Sequence, residues 1–201
     1  MIIGVTGNIC TGKTTVSKLL HKKGFKYFND DTCVSNLILM RKVKDKIFKA
    51  FPECCIQNEL DKDILRNIVF KELSELLKLE SILHPILKIE RAKFILKNLL
   101  SNIVIEVPLL YQINLEYLFD FIIKTECSND DHISRLQKRG FNLDYLDIIH
   151  ERRGSVEDNK DYYLINTSVD DVQLKLDSIK LDEINSNKIR VLLLCIKDMF
   201  F

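Results

Sequence analysis

The chain has 201 residues and a mass of 23.5 kDa, with 46% apolar and 29% charged residues and only 3 Pro and 6 Gly. That balance excludes disordered, collagen-like and linker-rich classes, and the length suits one core carrying an inserted subdomain. Thirty Lys and Arg against 29 Asp and Glu leave a net charge of +1, so no global field favours nucleic acid or an anionic membrane, and an anionic ligand must be gripped locally.

In chain order, residues 1–6 are a short apolar run closed by a glycine turn. Residues 14–23 place Val16, Leu19 and Leu20 at helical spacing before Gly24, which predicts strand, loop, helix and stop. A second short strand is expected over 25–28, after which Asp30 and Asp31 precede a segment with Val34, Leu37 and Ile38 on one helical face. Such an opening predicts a parallel sheet with helices on both faces. Residues 41–100, with Pro52 and Pro85, read as a long polar and helical stretch and form the candidate insertion. Apolar runs at 103–105, 119–123 and 162–165 bring the strands to five. Residues 130–160 are charged and carry Arg135, Arg139, Arg152 and Arg153 between apolar helical positions, which predicts a helical hairpin able to act as a lid. The tail, 187–201, has Ile189, Leu192, Leu193 and Ile196 spaced for a packing helix.

The six cysteines contain no C-x-x-C pair, so reduced thiols are expected rather than a disulfide framework or a zinc site. The opening Met-Ile-Ile-Gly-Val lacks the basic start and apolar run of a secretory signal, and the apolar run at 191–196 is too short to span a bilayer. A cytoplasmic location is the expectation.

The segment Gly7-Asn8-Ile9-Cys10-Thr11-Gly12-Lys13-Thr14, followed by Thr15, satisfies G-x-x-x-x-G-K-[ST] between an apolar strand and an amphipathic helix. The glycines let the backbone curl so that successive N–H groups of Asn8 to Thr15 converge on a phosphate, with the positive end of the helix aimed at the same anion. Lys13, expected to face solvent in the empty loop, can then reach the outer phosphates, and the Thr14 hydroxyl can ligate Mg²⁺. Neither [NT]-K-x-D nor D-x-x-G occurs, which removes the guanine-nucleotide switches and leaves small-molecule phosphoryl transfer. That chemistry needs a carboxylate able to take a proton from the acceptor hydroxyl. Asp31, at the carboxyl end of the second strand, opens onto the same crevice as the loop. The position equally suits an N-cap by Asp30 or Asp31, and both readings stand at this point.

Thr6 to Val16 reads T-G-N-I-C-T-G-K-T-T-V and residues 28–31 read F-N-D-D. These segments resemble the T-G-G-I-G-S-G-K-S-T-V and I-D-A-D of the dephospho-coenzyme A kinase family, with Asp31 on the family's final aspartate and Asn29 on its earlier one. Leu60-Asp61-Lys62 is similar to the family's L-D-R, with Lys62 in place of the arginine. Residues 79–85, L-E-S-I-L-H-P, match L-E-x-x-x-H-P and bring His84 into the coenzyme-holding region. Residues 104–112 are similar to V-x-D-x-P-L-L-F-E and contain Pro108 and Leu109, with Glu106 for aspartate and Gln112 for glutamate. Arg135 and Arg139 match a K-R-x-x-x-R lid segment and Arg153 a later lid arginine, whereas Arg152 matches nothing and is expected to be a solvated charge. His150 stands where glutamine is usual, and residues 161–166, ending in Asn166, resemble the strand after which the chain passes the adenine.

The resemblance implies a three-layer α/β sandwich of P-loop NTPase type with a parallel five-stranded sheet, organised as one domain with the insertion at about 41–100 and the lid at about 130–160. It implies an enzyme that uses ATP and Mg²⁺ to phosphorylate a small molecule, the 3′-hydroxyl of dephospho-coenzyme A, without nucleic acid or membrane partners. Asp31 becomes the expected base. Lys13 and Arg139 act on the transferring phosphoryl group, and Lys62, His84, Pro108 and Leu109 lie on the substrate side. Two alternatives remain at the level of sequence: a nucleoside or nucleotide kinase of the same fold, and a nucleotide-binding regulator that has lost catalysis. Oligomeric state is left open.

Overall fold

The computed structural model describes residues 1–153, 163–168, 170–179, 191, 194 and 195. The chain opens with β1 (Ile2–Gly7), α1 (Lys13–Lys22), β2 (Lys26–Asn29) and α2 (Asp30–Leu37). The insertion follows as α3 (Arg41–Ala50), a two-stranded hairpin of β3 (Cys55–Ile56) and β4 (Glu59–Leu60), α4 (Lys62–Val69) and the long α5 (Leu73–Lys97). The chain then returns to the sheet with β5 (Ile103–Glu106) and β6 (Phe121–Glu126), leaves it through α6 (Asn129–Lys138) and α7 (Leu146–Arg153), and comes back as β7 (Tyr163–Asn166) and α8 (Val172–Ser178).

All five long strands run parallel in the order β2-β5-β1-β6-β7. Successive strand residues point to opposite faces, and here both faces are covered. Ile3 and Val5 of β1 pack with Val16 and Leu20 of α1 and Leu176 of α8, whereas Ile2 joins Ile103 and Ile105 of β5 against Ala92 and Ile95 of α5. Every residue of β1 is therefore buried, which is why the sequence reads there as an unbroken apolar run. The three-layer parallel sandwich is as expected, with shifts at the element ends. The second strand begins at Lys26, the fourth at Phe121, and α2 starts at Asp30 itself, so both aspartates lie inside its first turn.

The insertion has a small apolar cluster of its own, built from Val43, Ile47, Phe51, Cys54, Leu65, Val69 and Leu83. Pro85 falls within α5 without ending it. The β3–β4 hairpin has no counterpart in the sequence reading; Gln57 and Asn58 turn it with φ of 50° and 64°, the left-handed pair that a two-residue turn requires, without the Asn-Gly signal that usually marks one. Residues 154–162 of the expected lid and most of the expected tail helix lie outside the described residues. Val191 and Cys195 are buried against the α5 face of the sheet. Among the described residues, no helix is long and apolar enough to cross a membrane.

Candidate active site

The loop between β1 and α1 is bent by its two glycines. Gly7 has φ of 142°, and a Cβ there would lie 2.3 Å from the carbonyl oxygen of Thr125 on β6. Gly12 has φ of 98°, and a Cβ there would meet Thr167 Cγ2 at 2.8 Å. Glycine thus lets both β6 and the turn after β7 press on the loop. Between them Cys10 is held at φ of 61°, a left-handed conformation that costs a non-glycine residue about 1–3 kcal/mol. The turn is braced by Thr11, whose Oγ1 donates to the Asn8 carbonyl at 2.8 Å and lies 2.8 Å from Thr125 Oγ1. Lys13 differs from expectation. It is 7% exposed, because its ammonium folds back to donate to the Asn8 carbonyl at 2.7 Å and so closes the loop.

Helix α6, the first part of the expected lid, lies against the same loop. Arg135 donates through Nη1 to Thr167 Oγ1 (2.7 Å) and the Cys10 carbonyl (3.4 Å), and through Nη2 to the Thr167 carbonyl (3.2 Å). His132, one turn earlier, sets Nε2 2.8 Å from the Ile9 carbonyl. Arg139, the C-cap of α6, is exposed and stands a turn beyond these contacts. Arg153 ends α7, and its side chain lies outside the described residues, as does that of His150. Arg152 is not the solvated charge expected: it donates from Nε (2.8 Å) and pairs through Nη2 (2.7 Å) with Glu80 Oε2 on α5, both side chains being 14% exposed. Asn166 ends β7; its Oδ1 accepts from Ser168 N and its own N–H donates to Asp170, a turn that holds Thr167 over the loop.

At the end of β2 three consecutive polar residues take separate places. Asn29 is the N-cap of α2, accepting from Thr32 N at 2.7 Å. Asp30 turns inward and receives Arg91 Nε (3.2 Å) and Nη2 (2.6 Å) in a buried fork. Burial pushes the Asp30 carboxyl above the usual carboxylate range, against the pull of Arg91. Asp31, next in the helix, is exposed on its first turn. Neither aspartate is the cap.

Glu106, at the end of β5, is 2% exposed and accepts from Thr14 Oγ1 at 2.8 Å and from Tyr27 OH at 2.6 Å. Burial, and then its bond to Glu106, raise the Tyr27 hydroxyl above its ordinary pKa of 10.0, so it remains a donor. The sequence marked Glu106 only as a departure from the family pattern, and nothing there singled out Tyr27, His132 or Thr167. Their roles arise from strands and turns that meet only in three dimensions.

A cleft of about 330 Å³ opens where the exits of β1, β5 and β6 meet. Asn8 and Thr11 of the loop line it, together with Pro108 and Gln112 after β5, and Lys124 and His132 on the β6 side. This is the point at which the strand order reverses, where ligands bind in open α/β sheets. Leu109 is half-buried beside Pro108, and His84 is half-buried on α5. Burial lowers the His84 pKa from 6.5, opposed by Glu80 and reinforced by Arg152 and Arg91. Lys62 is exposed at the start of α4 and does not line this cleft.

The profile of the dephospho-CoA kinase family matches residues 1–160. The chain belongs to that family. A dephospho-CoA kinase from Borreliella burgdorferi is 40% identical over 147 residues, covering 72% of this chain and 71% of its own, and one from Oceanobacillus iheyensis is 29% identical over 191 residues, covering 89% and 96%. Among solved structures, a Thermus thermophilus protein superposes with a TM-score of 0.68 at 21% identity, covering 98% of this chain and 94% of its own. The dephospho-CoA kinase of Campylobacter jejuni gives 0.55 at 20%, covering 92% and 98%. These two likenesses establish the fold. Membership of a dephospho-CoA kinase family makes the chain a phosphotransferase that acts on a small molecule with a nucleotide as donor.

Proposed function

We propose that this kinase transfers the γ-phosphoryl group of ATP to the 3′-hydroxyl of dephospho-CoA, with Asp31 accepting the hydroxyl proton. The supporting observation is the place of Asp31, exposed in the first turn of α2 at the carboxyl edge of the parallel sheet, the edge from which the phosphate loop leaves β1. The acceptor is held by the 41–100 insertion, through His84 and Lys62, and by Pro108 and Leu109. On the donor side, the backbone of Asn8 to Thr15 cradles the phosphates and Asn166 lies towards the adenine. Lys13 exchanges the Asn8 carbonyl for the outer phosphates when nucleotide binds. Arg135 fixes the loop from outside, and Arg139 swings onto the transferring group as the lid, with Arg153, closes and excludes water.

The donors beside the loop suit Mg²⁺. The Thr14 hydroxyl and the Glu106 carboxylate are hard oxygen ligands in hydrogen-bond contact, and Mg²⁺ needs only one or two such groups beside water and phosphate. When bound, the ion neutralises charge on the phosphates and orients them. We take the working compartment to be the cytoplasm, where the six free thiols are stable.

Asp31→Asn keeps the shape of the side chain and removes the proton acceptor. In a coupled assay for ADP release with dephospho-CoA, kcat should fall about 10²–10⁴-fold with ATP affinity little changed. Preserved turnover per folded molecule would overturn the assignment.

A further inference from the structure

The Glu106 carboxylate is longer by one methylene than the aspartate of the family pattern, and so has one more torsion through which it can leave Thr14. Its two oxygens are nevertheless both engaged: Oε1 by the Thr14 hydroxyl at 2.8 Å and Oε2 by the Tyr27 hydroxyl at 2.6 Å. With a donor on each oxygen, the plane of the carboxylate is fixed. The Tyr27 hydroxyl is oriented in its turn. Asn29 Nδ2 donates to it at 3.1 Å, and since Tyr27 has one proton and must accept from Asn29, that proton goes to Glu106. The β2–β5 register explains the meeting. Asn29 lies opposite Glu106 and Tyr27 opposite Val104, so Tyr27 and Asn29 share the face of β2 next to the carboxylate. Asn29 Oδ1 also caps α2 through Thr32 N. The hydrogen bonds therefore run without a break from the first turn of α2, through Asn29, Tyr27 and Glu106, to Thr14 in the first turn of α1.

We propose that Tyr27 is a positioning residue for the metal-ligating carboxylate, holding Glu106 against Thr14 so that the longer acid does the work of a shorter one. This rests on the reading of Thr14 and Glu106 as the Mg²⁺ ligands. Groups that orient a metal ligand typically change metal affinity by about 10–100-fold when removed.

The test uses Mn²⁺ as a spectroscopic probe, with ADP present, on the full chain and on Tyr27→Phe, Glu106→Gln, Glu106→Asp and the Tyr27→Phe/Glu106→Asp double variant. Free Mn²⁺ is read by electron paramagnetic resonance, and ADP affinity without metal by calorimetry. Tyr27→Phe should weaken Mn²⁺ binding about 10-fold or more, with metal-free ADP affinity within about 2-fold of the parent, and should raise the Mg²⁺ concentration for half-maximal rate more than it lowers kcat. In the Glu106→Asp background, where the shortened carboxylate retreats from the tyrosine, the same change should cost about 3-fold or less. Unchanged Mn²⁺ affinity in Tyr27→Phe beside a weakened Glu106→Gln would overturn the positioning role and leave the metal assignment standing. Unchanged affinity in Glu106→Gln would overturn both. An equal loss of metal-free ADP affinity in Tyr27→Phe would show that the ring merely supports the loop. A full-sized effect of Tyr27→Phe in the Glu106→Asp background would show that the tyrosine does not act through the longer acid.

Discussion

Asp30 and Arg91 form a bidentate ion pair closed off from solvent, 61 residues apart in sequence, with the guanidinium on the longest helix of the insertion and the carboxylate in the first turn of α2. Charges this deeply buried are costly unless each fully satisfies the other. The pair therefore fixes α5 to the helix that carries Asp31, and it does so with directional bonds.

Removing one partner leaves the other charge buried alone. Asp30→Leu or Arg91→Met should each cost about 3–5 kcal/mol of unfolding free energy, and the combined Asp30→Leu/Arg91→Met variant clearly less than the sum. Urea unfolding of the two single variants and the double one checks this. Additive losses would mean that the two side chains are held by other partners.

With the ammonium acting on the outer phosphates as proposed, Lys13→Ala should abolish phosphoryl transfer. Since the side chain is buried and bonded to the Asn8 carbonyl, a stability loss of about 0.5–1.5 kcal/mol should accompany it. Thermal unfolding beside the ADP-release assay separates the two effects, and near-parental turnover would remove the lysine from the reaction.

Arg139→Lys retains the charge and loses the planar fork, so kcat should drop about 10–1,000-fold with ATP affinity nearly constant. Arg152 is unsuitable as a control because it is paired with Glu80. Lys138, exposed in the same last turn, serves instead, and Lys138→Ala should have little effect. Single-turnover phosphorylation and ATP titration by calorimetry report the split. Equal losses in both variants would mean that general charge on the lid, and not Arg139, is what matters.

His84 has a folded-state pKa below its ordinary 6.5, chiefly through burial. The unfolded chain then binds a proton more readily than the folded one, so stability rises with pH between the folded pKa and 6.5 and falls as the solution is acidified through that window. A single such group contributes a slope of at most about 1.4 kcal/mol per pH unit. His84→Gln should show a flatter stability profile below pH 6.5 than the parent, measured by urea unfolding across the range, and identical profiles would show that the imidazole does not titrate with folding.

The layer order and the phosphate loop are legible in the residue order alone, because both are local in origin. Unbroken apolar runs mark strands buried on two faces, helical spacing marks their covers, and Gly7, Gly12, Lys13 and Thr14 stand in one continuous register. Local spacing could not assign the polar side chains that choose between partners. Whether Asn29, Asp30 or Asp31 caps the helix depends on Arg91 arriving from α5, and whether Lys13 faces solvent depends on a carbonyl within the folded loop. Arg152 looked solvated until α7 met Glu80, and Tyr27 had no visible role until β2 paired with β5 beside Glu106. Apolar burial follows a pattern that a chain carries along its length. Hydrogen bonds and ion pairs require particular atoms to approach within about 3 Å, and those approaches exist only once distant segments have packed together.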